Sequence, residues 1–178
     1  MDALPDWLAP DLRVVSIGIN PSLPSARAGF TFANPRNRFW PALNASRLLS
    51  APVEPGIAAM QTLLERERIG FTDVVKRASA MEKDLRAAEF RTGAEMLLEK
   101  MQRFRPRLLW LHGKTPLRWL ARAAGIEAGS EWGLQPQGID GMRLFVTPNP
   151  SPANAAFSLP ALVTWYDRLA DLLAQDET

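Results

Sequence analysis

The chain contains no cysteine and one histidine, His112. These two facts narrow the available chemistry before any motif is read. A disulfide, a thiolate nucleophile and a Cys/His zinc site are excluded within this sequence. A Ser-His-Asp triad would have to use His112 itself. That residue follows the apolar run 108–111 and precedes Gly113-Lys114, the pattern of a structural residue at a strand end. Chemistry is therefore left to Asn, Asp, Ser and backbone groups. Their best placements are two Pro-framed segments about 130 residues apart, Gly18-Ile19-Asn20-Pro21-Ser22 and Thr147-Pro148-Asn149-Pro150-Ser151. An amide can orient water through hydrogen bonds, but it cannot act as a base near neutral pH. A carboxylate can take a proton, and Asp73 closes a third apolar segment, Gly70-Phe71-Thr72-Asp73.

Each segment needs an element to position it. The runs at 12–19, 108–111 and 143–147 are β-branched and aliphatic, closed by Gly, Pro, Asn or His, and read as buried strands; 70–75 reads as a short strand and loop. Helices are predicted at 39–49, 56–68, 92–104 (stopped before Pro106), 116–124 (stopped at Gly125) and from the N-cap Ser158 to 174. An irregular loop is expected between 20 and 38. In the last helix Leu159, Leu162, Val163, Tyr166, Leu169 and Leu173 form a core-facing stripe. Alternating strands and helices imply a three-layer α/β/α sandwich around a short, mainly parallel sheet. In such a sheet both Asn loops emerge at the carboxyl edge, where open α/β sheets bind ligands.

The 178 residues carry no internal repeat, low-complexity tract or linker, so a single domain over 1–178 is expected. Apolar residues make up 47% and charged residues 22%, the profile of a soluble globular protein. No run reaches the ~20 apolar residues of a membrane span, and the acidic N-terminus (Asp2, Asp6) is unlike a signal peptide. A cytoplasmic location is the expectation. Net charge is only +2, but it is unevenly spread. Five arginines and no acid lie between Leu12 and Val53 (Arg13, Arg27, Arg36, Arg38, Arg47), and seven basic residues and no acid between Lys100 and Ile126. These stretches are either solvated helix faces, the preferred reading for Arg118 and Arg122, or a basic face suited to phosphates.

Gly18-Ile19-Asn20-Pro21, then Gly29-Phe30-Thr31-Phe32-Ala33-Asn34-Pro35 and Asn37-Arg38-Phe39-Trp40, then Asn149-Pro150-Ser151 resemble the mismatch-specific uracil-DNA glycosylases. That group includes the bacterial G:U mismatch and thymine-DNA glycosylases. The resemblance runs from about Arg13 to the C-terminal helix. It implies a monofunctional, cofactor-free and metal-free DNA glycosylase that flips uracil out of DNA and hydrolyses its N-glycosidic bond, initiating base excision repair. The expected partner is uracil-containing DNA, double-stranded or single-stranded, and a monomer is expected. Two alternatives stand beside it: a glycosylase acting mainly on deaminated purines such as hypoxanthine or xanthine, and a DNA-binding module without catalysis.

The resemblance also implies roles. Asn20 orients the attacking water. Phe32 stacks on the flipped base, a contact worth roughly 1–3 kcal/mol. Gly18, Ile19, Pro21, Asn37 and Asn149 complete the substrate pocket, and Asn37, Arg38, Phe39 and Trp40 fix the Phe32 loop to the following helix. DNA contacts are expected from Ser22, Arg38, Ser151, Pro152, Ala153, Asn154 and Ala155. Asp73 stands where the bacterial enzymes tend to carry a basic residue. It is either a catalytic carboxylate, activating water or stabilising a cationic sugar, or a loop Asp bonded to its own backbone, Lys76 or Arg77. Two further departures are Ser22 in place of a usual Gly, and Pro152-Ala153-Asn154-Ala155-Ala156 in place of a loop with a bulky apolar residue and an Arg. Those two normally fill the gap left by the base and contact the orphaned guanine. Asn154 can both donate and accept, so it need not favour guanine. Modest dependence on the opposite base is expected, with release from A:U or single strands detectable beside G:U.

Overall fold

Four apolar runs pair side by side because each is apolar on both faces and must lie between two helical layers. They are β1 (Val14–Gly18), β2 (Ile69–Asp73), β3 (Leu108–His112) and β5 (Arg143–Thr147), all parallel. A two-residue strand, β4 (Gly133–Leu134), adds antiparallel to β5, and the order is β2-β1-β3-β5-β4. The computed structural model describes residues 3–177; Met1, Thr178 and the acid Asp2 noted above lie outside them.

Side chains alternate across the sheet. Val14, Leu108, Trp110 and Phe145 face α2 (Phe39–Ala45), α3 (Ile57–Thr62) and α6 (Leu159–Asp176). Val15, Ile17, Leu109, Leu111, Leu144 and Val146 face α4 (Ala87–Phe104) and α5 (Lys114–Ala124). The result is the expected three-layer α/β/α arrangement. Among the described residues no helix is long and apolar enough to cross a membrane.

The boundaries differ in instructive ways. The loop after β1 contains a short helix, α1 (Leu23–Ala28), started by the Ser22 side chain accepting from Ser25 N and ended by left-handed Gly29. The helix expected at 39–49 stops at Ala45, where the Ser46 hydroxyl donates to Leu43 O at 2.8 Å. Local bonding of this kind competes with helix continuation. The helix expected at 56–68 changes at Thr62 into a π-helical turn, Leu63–Glu67. α4 begins five residues before the expected Thr92, because the Glu89 side chain accepts from Arg86 N at 2.9 Å and caps it.

Candidate active site

The carboxyl ends of β1, β2, β3 and β5 open on one cleft of about 1170 Å³. The register explains how the side chains converge. Gly18 at the end of β1 lies opposite Asp73 at the end of β2, and His112 opposite Thr147. Pairing continues beyond the strands, with Val74 N donating to Gly18 O at 3.0 Å and Val75 N to Ile19 O at 2.9 Å. A Cβ on Gly18 would lie 2.6 Å from Asp73 Oδ1, so only glycine lets the carboxylate lie against this backbone.

Asp73 is 8% exposed and lines the cleft. No side chain among the described residues bonds its carboxylate. The two lysines whose charge reaches it are both held by Asp6: Lys76 bonds Asp6 Oδ1 at 2.6 Å and Lys100 bonds Asp6 Oδ2 at 2.7 Å, while Arg77 is paired with Glu89. Burial pushes the Asp73 carboxyl up to about 6, reinforced by the negative charge of Asp6 and opposed by Lys76 and Lys100. It is mostly ionised at pH 7, yet a stronger base than an ordinary aspartate.

Asn20 is pinned from one side only. Its amide nitrogen donates to Ser79 Oγ at 2.8 Å, to Arg77 O at 2.9 Å and to Pro21 O at 3.2 Å. Every amide hydrogen has an acceptor, which fixes the flip of the group. Among the described residues no group donates to Oδ1, which is left as the acceptor for a water.

Phe32 is half-buried at the cleft wall, with its ring 4.3 Å from Phe39 and edge-on to His112 at 5.1 Å. Its backbone is left-handed at φ 54°, a state that costs a non-glycine residue roughly 1–3 kcal/mol. Neighbouring bonds hold it there: Ala33 N donates to Ser25 Oγ at 3.0 Å, and Trp40 Nε1 to Thr31 O at 3.0 Å. Phe30 is half-buried and packs edge-on against Trp40 at the margin of the core. Asn37 Oδ1 accepts from Phe39 N at 2.8 Å and ties the loop to α2.

On the far side, Asn149 Oδ1 accepts from Ser151 N and Asn149 O accepts from the Asn154 side chain, both at 3.0 Å. The Arg38 guanidinium binds the carbonyls of Ser151, Asn154 and Phe157. These bonds staple the Asn149 loop to the residue that precedes α2. The cleft thus gathers a base-like carboxylate, an oriented amide acceptor and an aromatic wall, and a model of the uracil DNA glycosylase superfamily matches residues 5–170. The chain belongs to the uracil DNA glycosylase superfamily.

Membership supports DNA glycosylase activity, a hydrolytic reaction, with DNA as the partner of this glycosylase. Its fold is similar to the solution NMR structure of a protein from Methanosarcina acetivorans proposed to be a uracil DNA glycosylase. The two share 20% identity at a TM-score of 0.64, and the match covers 97% of each chain.

Of the expected site residues, Gly18, Ile19, Asn20, Pro21, Ser22, Phe32, Asn37, Asp73, Asn149, Ser151, Pro152, Ala153 and Asn154 line the cleft; Arg38 and Ala155 do not. The basic stretches mostly turn elsewhere. Arg13 pairs with Glu177, Arg47 with Asp167 and Asp171, and Lys100 with Asp6. Arg118 and Arg122 lie exposed on α5. Among the described residues only Arg36, Lys83 and Lys114 bring positive charge to the cleft lining.

Sequence reasoning missed Ser79, Met81 and Lys83, which form the rim beside Asn20. Nothing in their local pattern marks them, because the Asn20–Ser79 contact joins positions 59 residues apart. His112 does stand at a strand end, and it also lines the cleft. Its Nε2 lies 2.7 Å from Ser16 Oγ, burial lowers its pKa to about 3, and Nδ1 has no partner among the described residues. With no carboxylate on Nδ1 and Ser16 buried within β1, the pair is not a hydrolytic triad.

Proposed function

We propose that this glycosylase removes uracil from DNA by direct hydrolysis, as a monofunctional, mismatch-type enzyme acting as a monomer without cofactor. The observation that carries this reading is the pairing at one strand edge of Asp73, buried without a partner, with Asn20, whose amide nitrogen is tied back. The flipped base stacks on Phe32 with its deoxyribose toward Asn20 and Asp73. Asn20 Oδ1 accepts a hydrogen bond from water and orients it toward C1′. As the C1′–N bond breaks, its electron pair leaves with the base as an anion, and the sugar becomes cationic. The Asp73 carboxylate stabilises that charge and takes the proton of the water as its oxygen bonds to C1′. Backbone groups of the Phe32 loop read the base edge. Backbone recognition in a wide cleft favours a second substrate class, the deaminated purines hypoxanthine and xanthine.

The test is single-turnover base release from a panel of labelled oligonucleotides carrying uracil, hypoxanthine or xanthine. Uracil release by the wild-type chain, lost in Asn20→Ala with DNA binding kept, is the expected result. Release from purine lesions alone would move the function to the second class, and binding without release would leave a DNA-binding module.

A further inference from the structure

A glycosylase must fill the space its target base vacates, or the base falls back into the stack. The loop after Asn149 is poorly equipped for that task. Pro152, Ala153, Ala155 and Ala156 offer short side chains, and the Asn154 amide nitrogen is held by Asn149 O. Phe157, the nearest bulky residue, packs edge-on against Trp132 at 5.3 Å and is half-buried. The opposite rim is different. Five large apolar side chains are strongly exposed among the described residues, and of these only Met81, at 52%, lines the cleft.

We propose that Met81 is the wedge of this enzyme, inserting its side chain into the DNA stack as the target nucleotide leaves. The inference rests on the glycosylase reading above and adds a residue to it. Three features support it. First, the side chain is long, unbranched and apolar, of the kind that separates base steps, and its flexibility lets it fit an irregular gap. Second, its backbone is fixed although its side chain is free: Met81 N donates to Asp84 Oδ2 at 2.9 Å, and Met81 O accepts from Asp84 N at 3.1 Å. Third, it is linked to the water-holding residue. Ser79 Oγ donates to Met81 O at 2.9 Å and accepts from Asn20 Nδ2 at 2.8 Å, while Ser79 N donates to Pro21 O at 3.2 Å. Pressure on the rim loop from inserted DNA is thereby transmitted to the Asn20 loop. Lys83, exposed two residues on, brings positive charge beside the same loop. A thioether carries no donor and is a weak acceptor, so this wedge opens a pair without reading the opposite base.

The experiment is single-turnover uracil release from single-stranded, A:U and G:U substrates by the wild-type chain, Met81→Ala and Met81→Leu. The ratio of paired to single-stranded rate is expected to fall about tenfold in Met81→Ala and to recover in Met81→Leu, with A:U losing more than G:U. An unchanged ratio in Met81→Ala overturns the proposal. A second readout separates this outcome from failure of the glycosylase reading itself. 2-Aminopurine placed beside a non-cleavable 2′-fluoro-deoxyuridine in duplex DNA should brighten on binding wild-type protein and much less on binding Met81→Ala at saturation. Equal brightening refutes the wedge even if no base is ever released.

Discussion

Asp6 and Asp73 lie near the same edge of the sheet and meet opposite fates. Asp6 receives hydrogen bonds from Lys76, Lys100 and Thr72 at 2.6 to 2.7 Å. Burial alone would raise its pKa, but these three donors outweigh burial and hold it below the ordinary value. Asp73 has no bonded partner among the described residues and is raised to about 6 by burial. The contrast separates a structural carboxylate from a reactive one. Asp6 captures the two lysines that would otherwise quench Asp73, and in doing so anchors the N-terminal segment to β2 and α4. A carboxylate kept ionised but unsatisfied at a cleft costs stability, and such placements concentrate at functional sites.

The largest expected effect is on chemistry. Asp73→Asn keeps the shape and removes the charge, so single-turnover base release should fall by about 10² or more, whereas Asp6→Asn should retain most activity at pH 8. A fall in Asp73→Asn below about threefold would make Asp73 a second structural carboxylate. The pH profile sharpens the comparison. Wild-type release should rise through a limb near pH 6, and that limb should be absent in Asp73→Asn. Asp6→Asn removes a negative charge that raises Asp73 and frees Lys76 and Lys100, which lower it. The limb should therefore move to lower pH in that variant.

Stability should respond with opposite signs. Asp73 binds its proton more tightly folded than unfolded. Its contribution is favourable below about pH 4 and is lost as pH rises through about 6. Asp73→Asn is therefore expected to be more stable than wild type at pH 8, by up to about 3 kcal/mol, with the gain shrinking as pH falls from 6 to 4. The lowered Asp6 contributes above about pH 4 and loses that contribution on acidification. Asp6→Asn should cost roughly 1–3 kcal/mol at pH 8, because two charged donors lose their acceptor. Urea denaturation at pH 4, 6 and 8 measures both.

The smallest expected effect concerns salt. With Arg36, Lys83 and Lys114 as the cleft's cations, the slope of log affinity against log salt should be near −3, and Arg36→Ala should reduce it by about 1. A slope near −8 would bring the paired arginines of the other basic stretches back to the DNA face.

Much was legible from residue order alone. The strands β1, β3 and β5 announce themselves as apolar runs closed by turn residues, and in a parallel sheet such ends must share one edge. Residue order therefore brings Asn20 and Asn149 to one edge and leaves Asp73 open between a catalytic and a structural role, and the Phe32 loop is marked by its neighbours. The absence of cysteine and the single histidine set the available chemistry without any geometry. Local bonding decided the rest of the secondary structure: Ser46 ended α2, Glu89 advanced the start of α4, and α3 passed into a π-helical turn, details that periodicity does not encode.

Only the tertiary structure decided which charges are free. Arg38 carries the same charge whether it faces a phosphate or binds three carbonyls, and its sequence neighbours do not distinguish the two. Asp6 and Asp73 are equally acidic as residues. Their difference arises from which lysine reaches which oxygen across 70 and 94 positions of chain. Ser79 and Met81 acquire meaning only because the chain after β2 returns to the end of β1. Periodicity and turn chemistry act over a few residues and can be read in order. Burial, pairing and electrostatic asymmetry are sums over everything that packs around a group, and they exist only once the chain has folded.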